Sequence, residues 1–215
     1  MYKVYFFLSG VAQPFAGIGS DQALLKQRFS GLGGCIRSTA MAEVEGRAPT
    51  GLTGALELWF PEKADALAAS GSEIADLVAS DVSVPHVVVG MERIVMRAPD
   101  FYDTECVKGL YLFSRRPDID VAEFQRYWWY DHGPIAGKTE SALCYAQAHV
   151  LPECYDAEKA DYDGVTELHW PSREAADAAI VSEQMRVDQG EDAKNFVHLE
   201  SVNLFLATQD VVIRP

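Results

Sequence analysis

Two histidines stand among aromatic and acidic residues in a pattern that suits acid–base chemistry. His132 closes the run EFQRYWWYDH, and His149 closes the run YAQAH. An unperturbed imidazole changes its charge near neutral pH, so a buried histidine can take or give a proton during a reaction. We therefore predict that His132 is the main general acid or base and that His149 is its partner, polarising a substrate oxygen.

The stretch before His132 carries the signals of a helix. Asp120 followed by Glu123 forms a capping box, which predicts a helix beginning at residue 121, and Pro134 predicts that this helix ends near His132. Free carbonyl groups at a helix end stabilise a protonated imidazole, whereas burial among rings destabilises it. These opposing effects predict that His132 titrates close to neutrality.

The same helix supplies candidate binding residues. At 100° per residue, Phe124 and Trp128 share the buried stripe with His132, and Asp131 flanks it. The two rings can form stacking walls for an aromatic substrate, and the hydroxyl of Tyr127 or of Tyr145 can stabilise a developing phenolate or enolate.

Two strands are predicted to face this helix. In the first, alternation puts Tyr145, Gln147 and His149 on one face, which could converge on the helix. Burying polar groups is costly unless they form hydrogen bonds, so Gln147 is expected to bind a polar substituent of the substrate. In the second strand, Glu167 either lies in the same cavity or has a structural role, and Trp170 adds another ring.

The predicted site therefore combines catalytic and substrate-binding side chains from one helix and two strands. No spacing typical of a metal site occurs, so no metal is expected. The catalytic candidates are His132, His149 and Tyr127, and the substrate-binding candidates are Phe124, Trp128, Asp131, Tyr145, Gln147, Glu167 and Trp170.

An internal repeat sets the expected architecture. TGALELWFPEKADALAAS at 53–70 resembles DGVTELHWPSREAADAAI at 163–180, and each half reads strand, helix, strand, strand, helix, strand. The second helix of each half is predicted over 62–79 and 172–189. We predict an α+β protein in which two ferredoxin-like βαββαβ repeats form a pseudo-symmetric, dimeric-type α+β barrel. The first repeat, 1–98, lacks the histidine motif, and the second, 106–215, carries it.

The composition of the chain restricts the classes of molecule that it is expected to bind. The 215-residue chain has 32 acidic and 18 basic residues and a net charge of −14, which argues against binding nucleic acid or an anionic membrane. Four scattered cysteines indicate reduced thiols, and no targeting or membrane-spanning segment is visible, so a cytoplasmic location is expected. The expected partner is a small hydrophobic or aromatic substrate, and the chain is expected to be a monomer with an internal pseudo-dimer or a homodimer.

Three motifs resemble the EthD family of the dimeric α+β barrel superfamily. That family is characterised by an aromatic helix ending in His-Gly-Pro, a Tyr-x-Gln-x-His strand and an Asp-Gly-x-x-Glu strand. This sequence matches them at Phe124, Tyr127, Trp128, His132, Gly133 and Pro134, then at Tyr145, Gln147 and His149, then at Asp163, Gly164, Glu167, Leu168 and Trp170. The resemblance implies a cofactor-free fold that handles hydrophobic, oxygenated small molecules.

The resemblance leaves several reactions open. Our first hypothesis is a cofactor-free lyase of the dehydratase, decarboxylase or cyclase type, which acts on a small aromatic compound through histidine acid–base catalysis. The first alternative is a cofactor-independent monooxygenase or a haem-binding barrel protein. The second alternative is a non-catalytic protein that binds small ligands or acts in stress.

Overall fold

The computed structural model describes residues 1–15, 21–41, 50–99, 101, 104–157 and 160–215. Within these residues, β-branched and aromatic runs with few polar interruptions form eight strands. They are β1 (Tyr2–Ser9), β2 (Gly34–Ala40), β3 (Leu52–Phe60), β4 (Ser83–Arg97), β5 (Val107–Phe113), β6 (Cys144–Val150), β7 (Gly164–Trp170) and β8 (Asn203–Ile213).

The helices are short, and three of them begin at polar caps. Asp21, Asp120 and Ser172 each accept backbone hydrogen bonds at the start of a helix. The helices are α1 (Gln22–Arg28), α2 (Lys63–Ser70), α3 (Val121–Tyr127), α4 (Gly133–Ala136), α5 (Cys154–Ala157), α6 (Arg173–Val181) and α7 (Gly190–Ala193). π-helical turns occupy Trp128–His132 and Gln184–Gln189, and a 3₁₀ turn occupies Leu199–Ser201.

All eight strands close into one antiparallel barrel in the order β1-β3-β2-β8-β5-β7-β6-β4. Each half of the chain contributes four adjacent strands, ordered β4-β1-β3-β2 and β8-β5-β7-β6. The two halves join where β2 pairs with β8 and where β4 pairs with β6. The predicted α+β barrel with internal pseudo-symmetry is thus confirmed, and the barrel closes within a single chain. The boundary between 98 and 106 stays a prediction, and residues 100, 102 and 103 lie outside the described residues.

Apolar side chains fill the barrel around four buried charges. Lys3, Glu57, Lys108 and Glu167, here named the charge quartet, lie at its centre and are at most 4% exposed. Lys3 Nζ lies 2.7 Å from Glu57 Oε2 and also pairs with Glu167. Lys108 Nζ lies 2.8 Å from Glu57 Oε2 and 3.3 Å from Glu167 Oε2. Because each ammonium contacts both carboxylates, the quartet joins the two repeats and leaves none of its charges unpaired.

The outer faces of the sheets are covered by the helices. In the first half, Leu25 and Phe29 pack with strand residues such as Phe6 and Leu58 into a continuous core. In the second half, Phe124 and Trp128 pack with Phe113, Phe196 and Val197. No helix among the described residues has the length and hydropathy to cross a membrane.

The second helix of each repeat differs from the prediction. The helix expected over 172–189 breaks at Ser182, which adopts an extended backbone. Its hydroxyl donates to Ala179 O at 2.7 Å and accepts from Met185 N at 3.2 Å, so this residue ends one helix and caps the next turn. The helix expected over 62–79 ends at Ser70, where Gly71 follows.

Candidate active site

A cavity of about 170 Å³ lies between the outer face of β5, β6 and β7 and the helical segments that cover it. Most of its wall is aromatic or aliphatic, and its few polar side chains come from three different elements. The aromatic residues are Tyr111, Phe113, Trp128, Tyr145 and Phe196, the polar residues are His132, Thr166 and Gln189, and Leu168, Met185, Gly190, Ala193, Val197, Leu199 and Val202 complete the lining.

A π-helical turn keeps His132 on the inner face of its helix. Phe124, Trp128 and His132 are buried and recur every fourth position. In an ideal α-helix, a spacing of four drifts by about 40° per step. The wider turn, in which Gly133 N donates to Trp128 O five residues back, removes this drift and brings His132 to the cavity.

The helix does not end at His132, and that part of the prediction is wrong. Gly133–Ala136 continue the helical path past Pro134, so the end of the helix lies beyond His132. The free carbonyl groups that were expected to stabilise a charged His132 are therefore not at this position. A carboxylate supplies the negative charge instead.

Asp192 holds the imidazole of His132. Its Oδ2 lies 2.8 Å from His132 Nδ1, and its Oδ1 accepts a hydrogen bond from Tyr127 at 2.7 Å. Asn195 Nδ2 in turn donates to the Tyr127 hydroxyl at 2.9 Å. Because a carboxylate only accepts hydrogen bonds, Nδ1 carries the proton and Nε2 is the basic nitrogen of neutral His132.

The environment favours this neutral form. Burial lowers the pKa of His132, and the hydrogen bond and charge of Asp192 offset part of that effect. The pKa of Tyr127 is raised by burial and by its bond to the same carboxylate, so Tyr127 stays a phenol. His132 is thus a neutral base, oriented by a carboxylate, on the wall of a largely apolar cavity.

Tyr145 is fixed by a hydrogen-bonded relay along β6. Gln147 Nε2 donates to Tyr145 Oη at 2.7 Å and to Trp128 O at 3.0 Å. With both of its amide hydrogens used, Gln147 accepts at Oε1 from His149 Nε2 at 2.9 Å. Tyr145 Oη receives one hydrogen bond from this relay and keeps its own proton to donate, and burial raises its pKa to about 12.

His149 lies in solid packing and does not meet His132 in the cavity. Its ring stacks on Trp128 with centroids 4.5 Å apart, and its Nδ1 has no hydrogen-bond partner among the described residues. Burial, with a smaller effect from the charge of Arg93, lowers its pKa to about 3. The expected direct partnership of the two histidines is therefore corrected: the indole of Trp128 occupies the space next to His149.

Glu167 also lies away from the cavity. Adjacent residues of a strand point to opposite faces, so Thr166 and Leu168 reach the cavity whereas Glu167 points into the barrel. There it belongs to the charge quartet and accepts a hydrogen bond from Tyr5. Burial raises its pKa, but Lys108 and Lys3 lower it more, so the carboxylate stays charged.

Three further candidates are near the cavity but do not line it. Phe124 is fully buried behind Trp128, with ring centroids 5.5 Å apart. Asp131 is exposed and pairs with Arg126 at 2.8 Å. Trp170 is buried beneath α6 and donates to Glu140 O at 3.2 Å. These placements correct the expectation that all three contact substrate directly.

The residues that sequence reasoning missed are mainly those of the segment 182–202. Asp192 and Phe196 fall in the run DQGEDAKNF, whose acidic and polar character is compatible with a lid beside the pocket or with a helix end but does not indicate a partner for His132. The ring of Phe196 lies 4.8 Å from that of His132. No sequence motif indicated that Gln189 or Thr166 would line the cavity. Among the described residues, no three His, Cys, Asp or Glu side chains lie together in a way that could hold a metal ion.

Comparison with known proteins agrees with this architecture. Residues 116–200 match the EthD domain family. The resemblance drawn from the three motifs is thereby confirmed for the second half of the chain. No curated protein matches the sequence.

Solved structures share the whole fold at low sequence identity. An anthrone oxidase-like protein has 9% identity, a TM-score of 0.57, and coverage of 98% of this chain and 93% of its own. A variant of chlorite dismutase from Candidatus Nitrospira defluvii, in complex with cyanide, has 9% identity, a TM-score of 0.56, and coverage of 98% and 91%. A protein of Lactobacillus acidophilus NCFM assigned as a monooxygenase has 11% identity, a TM-score of 0.54, and coverage of 97% and 92%.

These comparisons correct the functional hypothesis. The structures with the same fold are named for oxygenation, oxidation and chlorite dismutation, and nothing among the findings supports a lyase. The prediction of a dehydratase, decarboxylase or cyclase is therefore wrong. The first alternative, which named a cofactor-independent monooxygenase or a haem-binding barrel, is better supported.

Proposed function

We propose that this protein is an enzyme, a cofactor-independent monooxygenase that oxidises a ring carbon of a small hydroxylated aromatic compound. The observation that carries the proposal is His132, which lines a cavity with aromatic walls while the carboxylate of Asp192 holds its Nδ1 at 2.8 Å. The names of the structural relatives support the oxygenase class.

Haem, the other part of that alternative, does not fit the cavity. A cavity of about 150 Å³ holds one benzene ring, and this one measures about 170 Å³, whereas a porphyrin contains four pyrrole rings. The buried nitrogens of His149 are also separated from the cavity by Trp128. The volume suits a substrate of one or two fused rings, and the stacked rings of the wall favour a planar one.

In the proposed reaction, Nε2 of His132 takes the proton of the substrate hydroxyl, and Asp192 stabilises the imidazolium that forms. The resulting phenolate is rich in electrons at the ring carbons ortho and para to the oxygen. One of these carbons reduces O₂ and forms a C–O bond, and the resulting peroxide anion takes the proton back from the His132 imidazolium to give a hydroperoxide. Loss of its ring hydrogen as a proton and cleavage of the O–O bond give a carbonyl and water, so O₂ is both the oxidant and the source of the new oxygen.

Tyr145 suits the second part of this reaction. Its hydroxyl keeps a proton to donate because Gln147 is the donor to its oxygen, and Thr166 of the cavity wall lies within reach of the same hydroxyl. A neutral donor in an apolar cavity stabilises a developing oxyanion without the desolvation cost of a charged side chain. Tyr145 would therefore hold the substrate oxygen or the hydroperoxide, and Phe113, Trp128 and Phe196 would exclude water.

The test is oxygen uptake with 1-naphthol in a buffer that contains a metal chelator. We expect uptake by the native protein, a naphthoquinone product with one atom from labelled O₂, and a loss of about 10²-fold or more in His132→Gln. His198→Gln, which changes an exposed histidine, is the matched control. Absence of uptake with 1-naphthol and other hydroxylated one-ring and two-ring compounds, or unchanged turnover in His132→Gln, would refute the proposal.

A further inference from the structure

A chain of hydrogen bonds fixes the amide of Gln189 on the cavity wall. The hydroxyl of Thr139 donates to Ala136 O at 2.7 Å, so its oxygen accepts from Gln189 Nε2 at 2.9 Å. Gln184 Nε2 donates to Ile135 O at 2.8 Å, so its Oε1 accepts from Gln189 Nε2 at 2.7 Å. Both amide hydrogens of Gln189 are thereby used, and turning the amide over would break both bonds.

The π-helical turn makes this arrangement possible. Gln184 and Gln189 are five residues apart, and a π-helical turn places positions i and i+5 next to each other along the helix. The partners of the two glutamines lie on the segment that follows His132, so the network joins the two helical walls of the cavity. It also means that the orientation of the Gln189 amide is set before any ligand arrives.

The remaining polar atom of this amide has no protein partner. Gln189 is only 7% exposed and lines the cavity. Among the described residues, none donates a hydrogen bond to its Oε1. This oxygen is not one of the fully buried polar atoms without a partner, so it keeps some accessible surface. A carbonyl oxygen held in this position is a preset acceptor, and a ligand that brings no donor would leave it desolvated and unpaired.

We propose that Gln189 is a specificity-determining residue that accepts a hydrogen bond from a second hydroxyl group of the aromatic ligand. The proposal rests on the proposed function in that it takes this cavity as the ligand site. The first hydroxyl of the ligand donates to Nε2 of His132 and loses its proton there. The second stays protonated because an amide oxygen is too weak a base to remove it, so the preferred ligands are dihydroxylated rings.

The experiment measures binding without turnover. Under anaerobic conditions, titration calorimetry compares each member of a set of dihydroxynaphthalenes with its monomethyl ether, in the native protein, Gln189→Met and Thr139→Val. Methionine keeps the approximate size of the side chain and removes the acceptor. Valine removes one partner of the network but leaves the Gln189 oxygen in place, so it controls for loosened packing of the segment.

We expect at least one diol to bind the native protein roughly tenfold more tightly than its ether, because an unpaired buried acceptor costs about that much in affinity. This preference should disappear in Gln189→Met and persist in Thr139→Val. Equal binding of every pair by the native protein, a preference that survives in Gln189→Met, or no binding of any diol would overturn the inference. The two proposals can fail separately. A lack of oxygen uptake would contradict the monooxygenase proposal, whereas the binding measurement tests the role of Gln189 without turnover.

Discussion

Replacing His149 with glutamine should make the protein less sensitive to acid. The ring of His149 stacks on Trp128, and its Nε2 donates to Gln147. Burial, together with the charge of Arg93, lowers the pKa of His149 to about 3. Glutamine can supply the same donor to Gln147 and does not titrate, so the substitution removes the ionisable group while it keeps the relay.

The sign and size of the effect follow from proton linkage. An unfolded histidine has a pKa of about 6.5, so between this value and about 3 the unfolded chain binds a proton that folded His149 does not bind. The contribution of His149 to stability is therefore fully present above pH ~6.5 and is lost as the pH falls. At pH ~5, which is 1.5 units below the unfolded pKa, the loss amounts to about 2 kcal/mol.

Urea unfolding at pH ~8 and pH ~5 measures this difference. We expect the free energy of unfolding to fall by about 2 kcal/mol less between the two pH values in His149→Gln than in the native protein. Taking the difference between pH values removes the constant cost of the lost ring. His198→Gln, on the surface, should behave like the native protein. An equal fall in His149→Gln and the native protein would mean that His149 is protonated in the folded state at pH ~5, and the packing argument would fail.

Three further substitutions test other parts of the structure. Asp192→Asn removes the carboxylate whose charge and hydrogen bond raise the pKa of His132. In steady-state oxygen uptake, the acid limb of the pH profile of kcat/KM should therefore move to lower pH, and the plateau should fall about 10²-fold. Gly164→Ala places a Cβ 2.5 Å from the ring of Trp128 and should lower the free energy of unfolding by about 1–3 kcal/mol in urea titrations. Lys108→Met leaves the two carboxylates of the charge quartet with a single ammonium group, so it should lower the free energy of unfolding by about 3–5 kcal/mol in urea titrations. A change within ~0.5 kcal/mol would contradict the role given to the quartet.

The repeat in the sequence was sufficient to predict the fold. Glu57 and Glu167 align at an offset of 110, and the strands that contain them occupy equivalent positions in the two halves of the barrel. Repeats of one supersecondary unit restrict the topology strongly, because each exposes a sheet face that the other can cover. Burial on both faces of β7 is the reason that sequence alone could not decide which face of that strand Glu167 occupies.

The site was predictable only in part, for two geometric reasons. Alternation placed Tyr145 and His149 on the same face of β6, but it does not say where along the strand the covering helix crosses. The crossing puts Trp128 over His149 and leaves Tyr145 open to the cavity. Asp192 reaches His132 from 60 residues away through two irregular helical turns, and a pattern based on 3.6 residues per turn cannot follow the chain through them.

The symmetric and asymmetric parts of the molecule have separate tasks. The charge quartet is built from equivalent positions of the two repeats, so Lys3 and Lys108 fix how the halves join at the barrel centre. The cavity uses residues that the first repeat does not have: counted from the helix caps Asp21 and Asp120, Leu25 and Phe29 correspond to Phe124 and Trp128, and glycine stands at the position of His132. Because the interface depends on shared residues and the cavity on unshared ones, changes in the second repeat's outer layer can alter the chemistry of the site without disturbing closure of the barrel.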